Sequence, residues 1–355
     1  MWQEHGKLTV STVVEELSNA TRMRRMAIRH TLTIAGLLLV LVLFCVVSLM
    51  LGVNSVSLDD VFSALGGRAN TIEEASVVRR IPRTLLAVLV GAALALSGTG
   101  MQAITRNPLA DPGILGVTSG AALAVIIGIA FFGLANPLSY MGVATIGAAL
   151  AALFVYSIGS LGRDGPTPLK LVLAGAAASA ALVSLTSAIV LPRSNLAQRF
   201  EFWRVGGVGG ATWESIVAVI PALSLGALIL FAMARGMNSL ALGDELAVGL
   251  GERVNRTRII IAAGSVILAA AATAVAGPIG FVGLVIPHLC RLLIGPDHRW
   301  LLPVAATTGA ALLVASDTIG RLIARPQEIE VGIITAIIGT PFFIWIVRRQ
   351  RVREL

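Results

Sequence analysis

The sequence predicts an all-α fold, a polytopic membrane bundle of about ten transmembrane helices, and three observations carry that prediction. Hydrophobic residues make up 56% of the 355 and charged residues only 13%, where a soluble domain holds about 25% charged. Mean hydropathy is +0.87. The apolar residues also fall in long runs, many near the ~20 residues that cross a hydrocarbon core. A net charge of +8 would point to nucleic acid in a soluble chain. In a membrane chain the bias of Lys and Arg toward cytoplasmic loops is the simpler cause, and no nucleic-acid partner is predicted. Cys45 and Cys290 lie in or near apolar segments and read as separate packed thiols.

Taken in order, residues 1–29 are polar and end in Arg22, Arg24, Arg25 and Arg29, a basic collar before the first apolar run, His30–Met50. That run is too long for a signal-peptide core. Residues 52–83 form a polar loop in which Ser57-Leu-Asp-Asp60 is a helix start. Further apolar segments follow at 84–104, 114–133, 138–160, 169–191, 212–234, 259–276, 280–294, 301–320 and 329–347. An even number of crossings puts both termini on one side. With the N-terminus inside, 18 of the 27 Lys and Arg fall on the inner side and nine on the outer, which supports that orientation. Runs of Gly, Ala and Ser, as in Gly91-Ala-Ala and Ala174–Ala180, let membrane helices approach closely.

Four stretches stand out. Arg79-Arg80-Ile-Pro-Arg83 puts arginines on the outer side, against the positive-inside bias, and Arg321 and Arg325 join the same patch. An acidic partner or anionic solute is one reading; snorkelling to lipid phosphate is the other. Thr105–Gly116 holds two prolines and two glycines within its last ten residues, which cannot continue a helix. Such backbone near a membrane is tolerated where it is buried or lines a water-filled path, so Asn107 and Leu109 read as a gate or as a plain tight turn. Gly277–His288 is an apolar segment interrupted by three glycines and two prolines, a pattern that marks pathways in transporters and also occurs for packing. Apart from these four, Gly206–Gly210 reads as a flexible outer loop.

The fourth stretch, Ser239–Arg258, lies on the inner side. Leu242, Leu246 and Leu250 recur every fourth residue and line one face of a short helix, with Asp244 and Glu245 in its first turn. A helix lying on lipid usually carries Lys or Arg beside its apolar face, whereas this one leads with acid. Docking to a partner, packing on its own protein and lying on lipid all stay open on these residues. The chain has no GxxxxGK[ST] phosphate loop, so energy for any work on a solute would come from another chain. Asp317 is the nearest thing to a mid-span ionisable residue, and Arg321 one turn on pairs with it. No His, Cys or carboxylate cluster has metal-ligand spacing.

These residues together resemble the FecCD family, the permease subunits of type II ATP-binding-cassette importers for ferric siderophores, haem and cobalamin. The matching pieces are Arg80-Ile-Pro-Arg83, Asn107–Gly116, Leu240–Glu245 with Leu250-Gly251, Gly277–His288, and Glu330–Thr335 with Gly339–Phe343. The resemblance, which includes a similarity to the cobalamin permease, implies the following. Residues 1–29 are a cytoplasmic extension outside the likeness, 30–347 a single permease domain with coupling helices at about 239–256, and 348–355 a cytoplasmic basic tail. Arg80, Arg83 and Arg321 engage acidic residues of an extracytoplasmic binding protein. Asn107, Leu109 and, on a weaker local match, Thr167 gate the cytoplasmic side. Leu240, Leu242, Gly243, Asp244, Glu245, Leu246, Leu250 and Gly251 couple to an ATPase.

The family further implies a second permease subunit, copy or paralogue, two cytoplasmic ATPases that bind ATP and Mg, and a bacterial inner-membrane location with both termini cytoplasmic. Ferric siderophore is the expected cargo, with cobalamin or haem as alternatives. This chain itself would hold no cofactor and no catalytic site. An ion-coupled carrier and an integral membrane enzyme are the rival readings, disfavoured by the lack of mid-span charge and of a convergent acid or histidine cluster.

Overall fold

Residues 10–52, 55–67, 70–134, 137–161, 168–193, 200 and 204–351 are described by a computed structural model. Their regular structure is helical throughout. The first helix, α1 (Val10–Met50), carries the first apolar run and reaches back into the polar leader. A short α2 (Leu58–Leu65) follows, started by Ser57, whose side chain accepts from the Asp60 amide while Asp60 reaches back to the Ser57 amide.

Next comes α3 (Ile72–Thr105), opened by the same reciprocal cap between Thr71 and Glu74. It begins well before the apolar segment expected at residue 84, so Pro82 lies inside the helix rather than in its first turn. After a 3-10 turn at Pro112–Leu115 come α4 (Val117–Phe132), α5 (Pro137–Gly159), α6 (Pro168–Val190), α7 (Trp213–Ala232), α8 (Ala234–Ala241) and α9 (Asp244–Gly249). The chain closes with α10 (Val254–Ala276), α11 (Val282–Ile294), α12 (His298–Ile323) and α13 (Val331–Arg351).

Among the described residues, seven of these helices are long and apolar enough to cross a membrane, and α4, α11 and the Val331–Trp345 part of α13 are shorter apolar helices. The bundle is built on α3, which packs on α12, α10, α11 and α7. Its most apolar stretch is 78% buried, against 17% for that of α6, so α6 stands at the periphery. Small residues set the spacing around α3. A methyl group on Gly98 would fall 1.9 Å from the Gly283 carbonyl oxygen, and one on Gly91 would fall 2.4 Å from that of Gly309. Helices in lipid associate by close van der Waals contact, and here the backbones themselves touch.

The α3 helix also defines the two ends of the molecule. At its N-terminal end gather the C-terminus of α1, the C-terminus of α12 and the loop into α13. At its C-terminal end gather α8, α9 and the starts of α10 and α12. The glycine-rich stretch at 206–210 is tied in by backbone bonds. The Gly207 amide donates to Ala276 O at 2.7 Å and Gly206 O accepts from the Gly332 amide at 3.1 Å. A flexible outer loop was expected there; the structure has a strap joining the ends of α10 and α13.

Candidate functional site

At the N-terminal end of α3, helix periodicity places Arg80 and Arg83 on one face, and that face meets the ends of α1 and α12. Arg80 Nη1 donates to the carbonyls of Leu49 at 2.8 Å and Met50 at 3.1 Å. Arg321 Nη1 donates to Ser48 O at 3.1 Å and Leu51 O at 3.0 Å, and its Nη2 to Ser48 Oγ at 2.6 Å. The last carbonyls of a helix lack intrahelical donors and sit at the negative end of its dipole, so two guanidiniums cap α1.

Asp317, 2% exposed, is held from both sides. Arg83 Nη2 approaches its Oδ1 at 2.8 Å, and Arg321 Nε lies 3.1 Å from its Oδ2, the one-turn pairing expected from the sequence. Arg83 Nη1 also donates to Glu328 at 2.6 Å, in the loop between α12 and α13. Of the three arginines, Arg321 is buried at 2% exposure and Arg83 keeps 13%, while Arg79 and Arg325 are exposed beside them.

The opposite end carries the residues expected to gate and to couple. Arg106 ends α3 in the left-handed region, at φ 50° and ψ 28°, and turns the chain. Asn107 Oδ1 then accepts from the Leu109 amide at 2.9 Å, an Asx turn that shapes the loop. Both Asn107 and Leu109 are half-buried. Thr167 lies outside the described residues.

Beside this loop, the single short helix expected around Leu242–Leu250 is two. Gly243, at φ 113° and ψ 155°, separates α8 from α9 in a conformation open to glycine alone. Leu242, Leu246 and Leu250 are each exposed, at 58%, 62% and 67%, as are Glu245 and Val248. Leu240 is fully buried and anchors the pair to the bundle. Gly251, at φ 83°, ends the segment.

Asp244, though 47% exposed, is paired with the bundle: Arg106 Nη2 contacts its Oδ1, and Arg258 Nη2 donates to the same oxygen at 2.9 Å. These partners were not predicted. Arg106 and Asp244 are far apart in the chain, and no local spacing signals their meeting. The same holds for Arg83 and Asp317.

Between the ends, the interrupted stretch at Gly277–His288 is non-helical up to Phe281, which takes φ 68° and packs on Gly339 of α13. Behind it, Gln102 Nε2 donates to the Gly283 and Leu284 carbonyls at 3.3 and 3.1 Å, and its Oε1 accepts from Arg291 at 3.1 Å. A cavity of about 620 Å³ opens between α4 and α6, edged by Thr118, Ser119, Thr186, Ser187 and Arg204.

The arrangement is thus a helical bundle with an arginine-rich end, exposed leucines at the far end, and a broken helix between them. Residues 38–349 match the FecCD transport family. The chain belongs to this family.

Among FecCD relatives, it is 41% identical over 326 residues to the ferric enterobactin transport system permease protein FepD of Escherichia coli, across 91% of this chain and 97% of that one. It is 42% identical over 281 residues to the hemin transport system permease protein HmuU of Yersinia pestis, across 77% and 82%. It is 43% identical over 277 residues to the cobalamin import system permease protein BtuC of Halobacterium salinarum, across 78% and 74%. A solved metal-chelate type ABC transporter in an inward-facing conformation superposes with a TM-score of 0.78 at 31% identity, covering 90% of this chain and 99% of that one. The FecCD match takes in every candidate site residue and starts after the polar leader.

Proposed function

We propose that this FecCD permease takes ferric siderophore from an extracytoplasmic binding protein and passes it across a bacterial inner membrane, driven by a separate ATPase. The observation that carries the reading is the bare apolar face of α8–α9, with Leu242, Leu246 and Leu250 each more than half exposed at the end of the bundle opposite the arginines. In a chain without a phosphate loop, such a face suits a motor protein that seats on it. Relatives named for ferric enterobactin and iron(3+)-hydroxamate import favour an iron chelate as cargo. Relatives named for haemin and cobalamin mark the alternatives.

In this reading, residues 30–347 form the permease domain, with residues 1–29 and 348–355 cytoplasmic, and a second permease subunit completes the path. The acidic binding protein approaches the arginine end, where charges steer it within a Debye length of ~8 Å. Arg80 and Arg83 meet it, and Arg321 works from behind by holding Asp317 and the end of α1. Cargo enters between the permease subunits. ATP and Mg on the two ATPases move α8–α9, and the Asn107–Leu109 loop, with Thr167, closes and opens the cytoplasmic side.

The polar chemistry of the arginine end supports transport driven by another chain over ion coupling, because Asp317 is already paired with two guanidiniums. The test is uptake of labelled ferric siderophore, haemin and cobalamin by cells carrying the permease with its ATPase. Replacing the phosphate-loop lysine of that ATPase abolishes uptake. Uptake that persists with the ATPase dead refutes the proposal, and uptake of cobalamin or haemin alone reassigns the cargo.

A further inference from the structure

Arg106 and Arg258, which tie α8–α9 to the ends of α3 and α10 through Leu240 and Asp244, have no part in the reading so far. Arg106 Nε donates to Leu240 O at 2.8 Å, on α8, while its Nη2 binds Asp244, on α9. One planar guanidinium therefore bridges the Gly243 joint, whose backbone alone would leave the angle between the two helices soft. Arg258 on α10 grips the same Asp244 oxygen at 2.9 Å and holds it against the bundle. Arg106 is also the residue just before Asn107, and its left-handed backbone sets the direction in which the loop leaves α3. Any displacement of α9 thus pulls, through a rigid fork, on the residue that launches the Asn107–Leu109 turn.

We propose that Arg106, clamped on Leu240 and Asp244 and backed by Arg258, is the linkage that carries motion of α8–α9 to the Asn107–Leu109 loop. The proposal rests on the reading that an ATPase seats on Leu242, Leu246 and Leu250. Stability is a poor explanation for the clamp. Arg106 and Asp244 are 35% and 47% exposed, and ion pairs so open to water contribute little to stability. Its value lies in geometry: two acceptors, on two helices, held by one side chain whose backbone is the hinge of a third segment. Arg106 and Asp244 are positioning residues in this scheme, and neither touches cargo.

The test uses the permease assembled with its ATPase subunits in lipid nanodiscs, with hydrogen exchange followed with and without ATP plus vanadate. In the natural protein, trapping nucleotide changes exchange both in α9 and at residues 107–110. With Arg106→Gln or Asp244→Asn, α9 still responds and the response at 107–110 is lost. Asp244→Glu, which keeps the charge, restores it. Arg106→Lys keeps the charge but cannot span both acceptors, and it behaves as Arg106→Gln; it also serves where the glutamine variant fails to assemble.

A response at 107–110 that survives in the Arg106 and Asp244 variants overturns the linkage while leaving the coupling reading intact. An α9 that ignores nucleotide in the natural complex overturns the coupling reading and the linkage together.

Discussion

Arg321 shows how a residue's neighbours change what its type suggests. Expected to meet a docking partner, this arginine is instead 2% exposed and divided between Asp317 and carbonyls at the end of α1. Arg321→Ala would leave those carbonyls uncapped and Asp317 with Arg83 alone. Breaking a buried pair costs about 3–5 kcal/mol, the surviving Arg83 contact places the expected loss at or below the low end, and thermal unfolding in detergent measures it.

Glu328 makes the opposite prediction. It sits on Arg83 with 37% of its side chain exposed, where a partner's carboxylate would have to compete with it. Glu328→Gln should therefore tighten binding-protein docking about fivefold at low salt, the equivalent of ~1 kcal/mol for one exposed pair, and the gain should shrink as salt rises. An affinity unchanged at every ionic strength removes Arg83 from the docking surface.

Among the elements, α3 and the α8–α9 pair carry the argument. Gly98→Ala places a methyl group on the Gly283 carbonyl, so α3 and α11 must part. Overpacking of this kind costs about 1–3 kcal/mol, visible as a lower unfolding midpoint in detergent with little change in the isolated ATPase. On α9, Leu246 is 62% exposed, and Leu246→Asp should leave the bundle's midpoint unchanged while the ATPase no longer co-purifies. Glu245→Arg, on the same surface, should uncouple ATP hydrolysis from transport; transport that survives it makes the pair mere scaffolding.

The element boundaries show what local sequence conveys. Ser57 with Asp60 announced α2 because a capping box is a contact between near neighbours. The Gly243 break within the Leu242–Leu250 pattern was not legible, because four-residue spacing continues through it and only the φ of 113° reveals the turn.

For the whole molecule, the uneven burial of the helices is the feature with consequences. Helix α6 is largely bare, with Leu185 at 54% exposure, and α13 presents Ile337 at 63%. Two permease subunits around a central path would cover such faces. Cysteines at Leu185 and Ile337, treated with a bifunctional maleimide in native membranes, should then trap a dimer on denaturing gels. Monomers alone would assign both faces to lipid.

The amino-acid sequence by itself determined the helical membrane class, the segments that became helices, the small-residue seams and the FecCD motifs. Each of these is written in composition or in the spacing of near neighbours, which hydrophobic burial and backbone hydrogen bonding read locally. Only the tertiary structure decided which charges meet across long stretches of chain. Arg83 finds Asp317, Arg321 finds the end of α1 and Arg106 finds Asp244. A side chain's partners at that range depend on where whole helices pack, and helix packing is set by the sum of many small contacts rather than by any one motif.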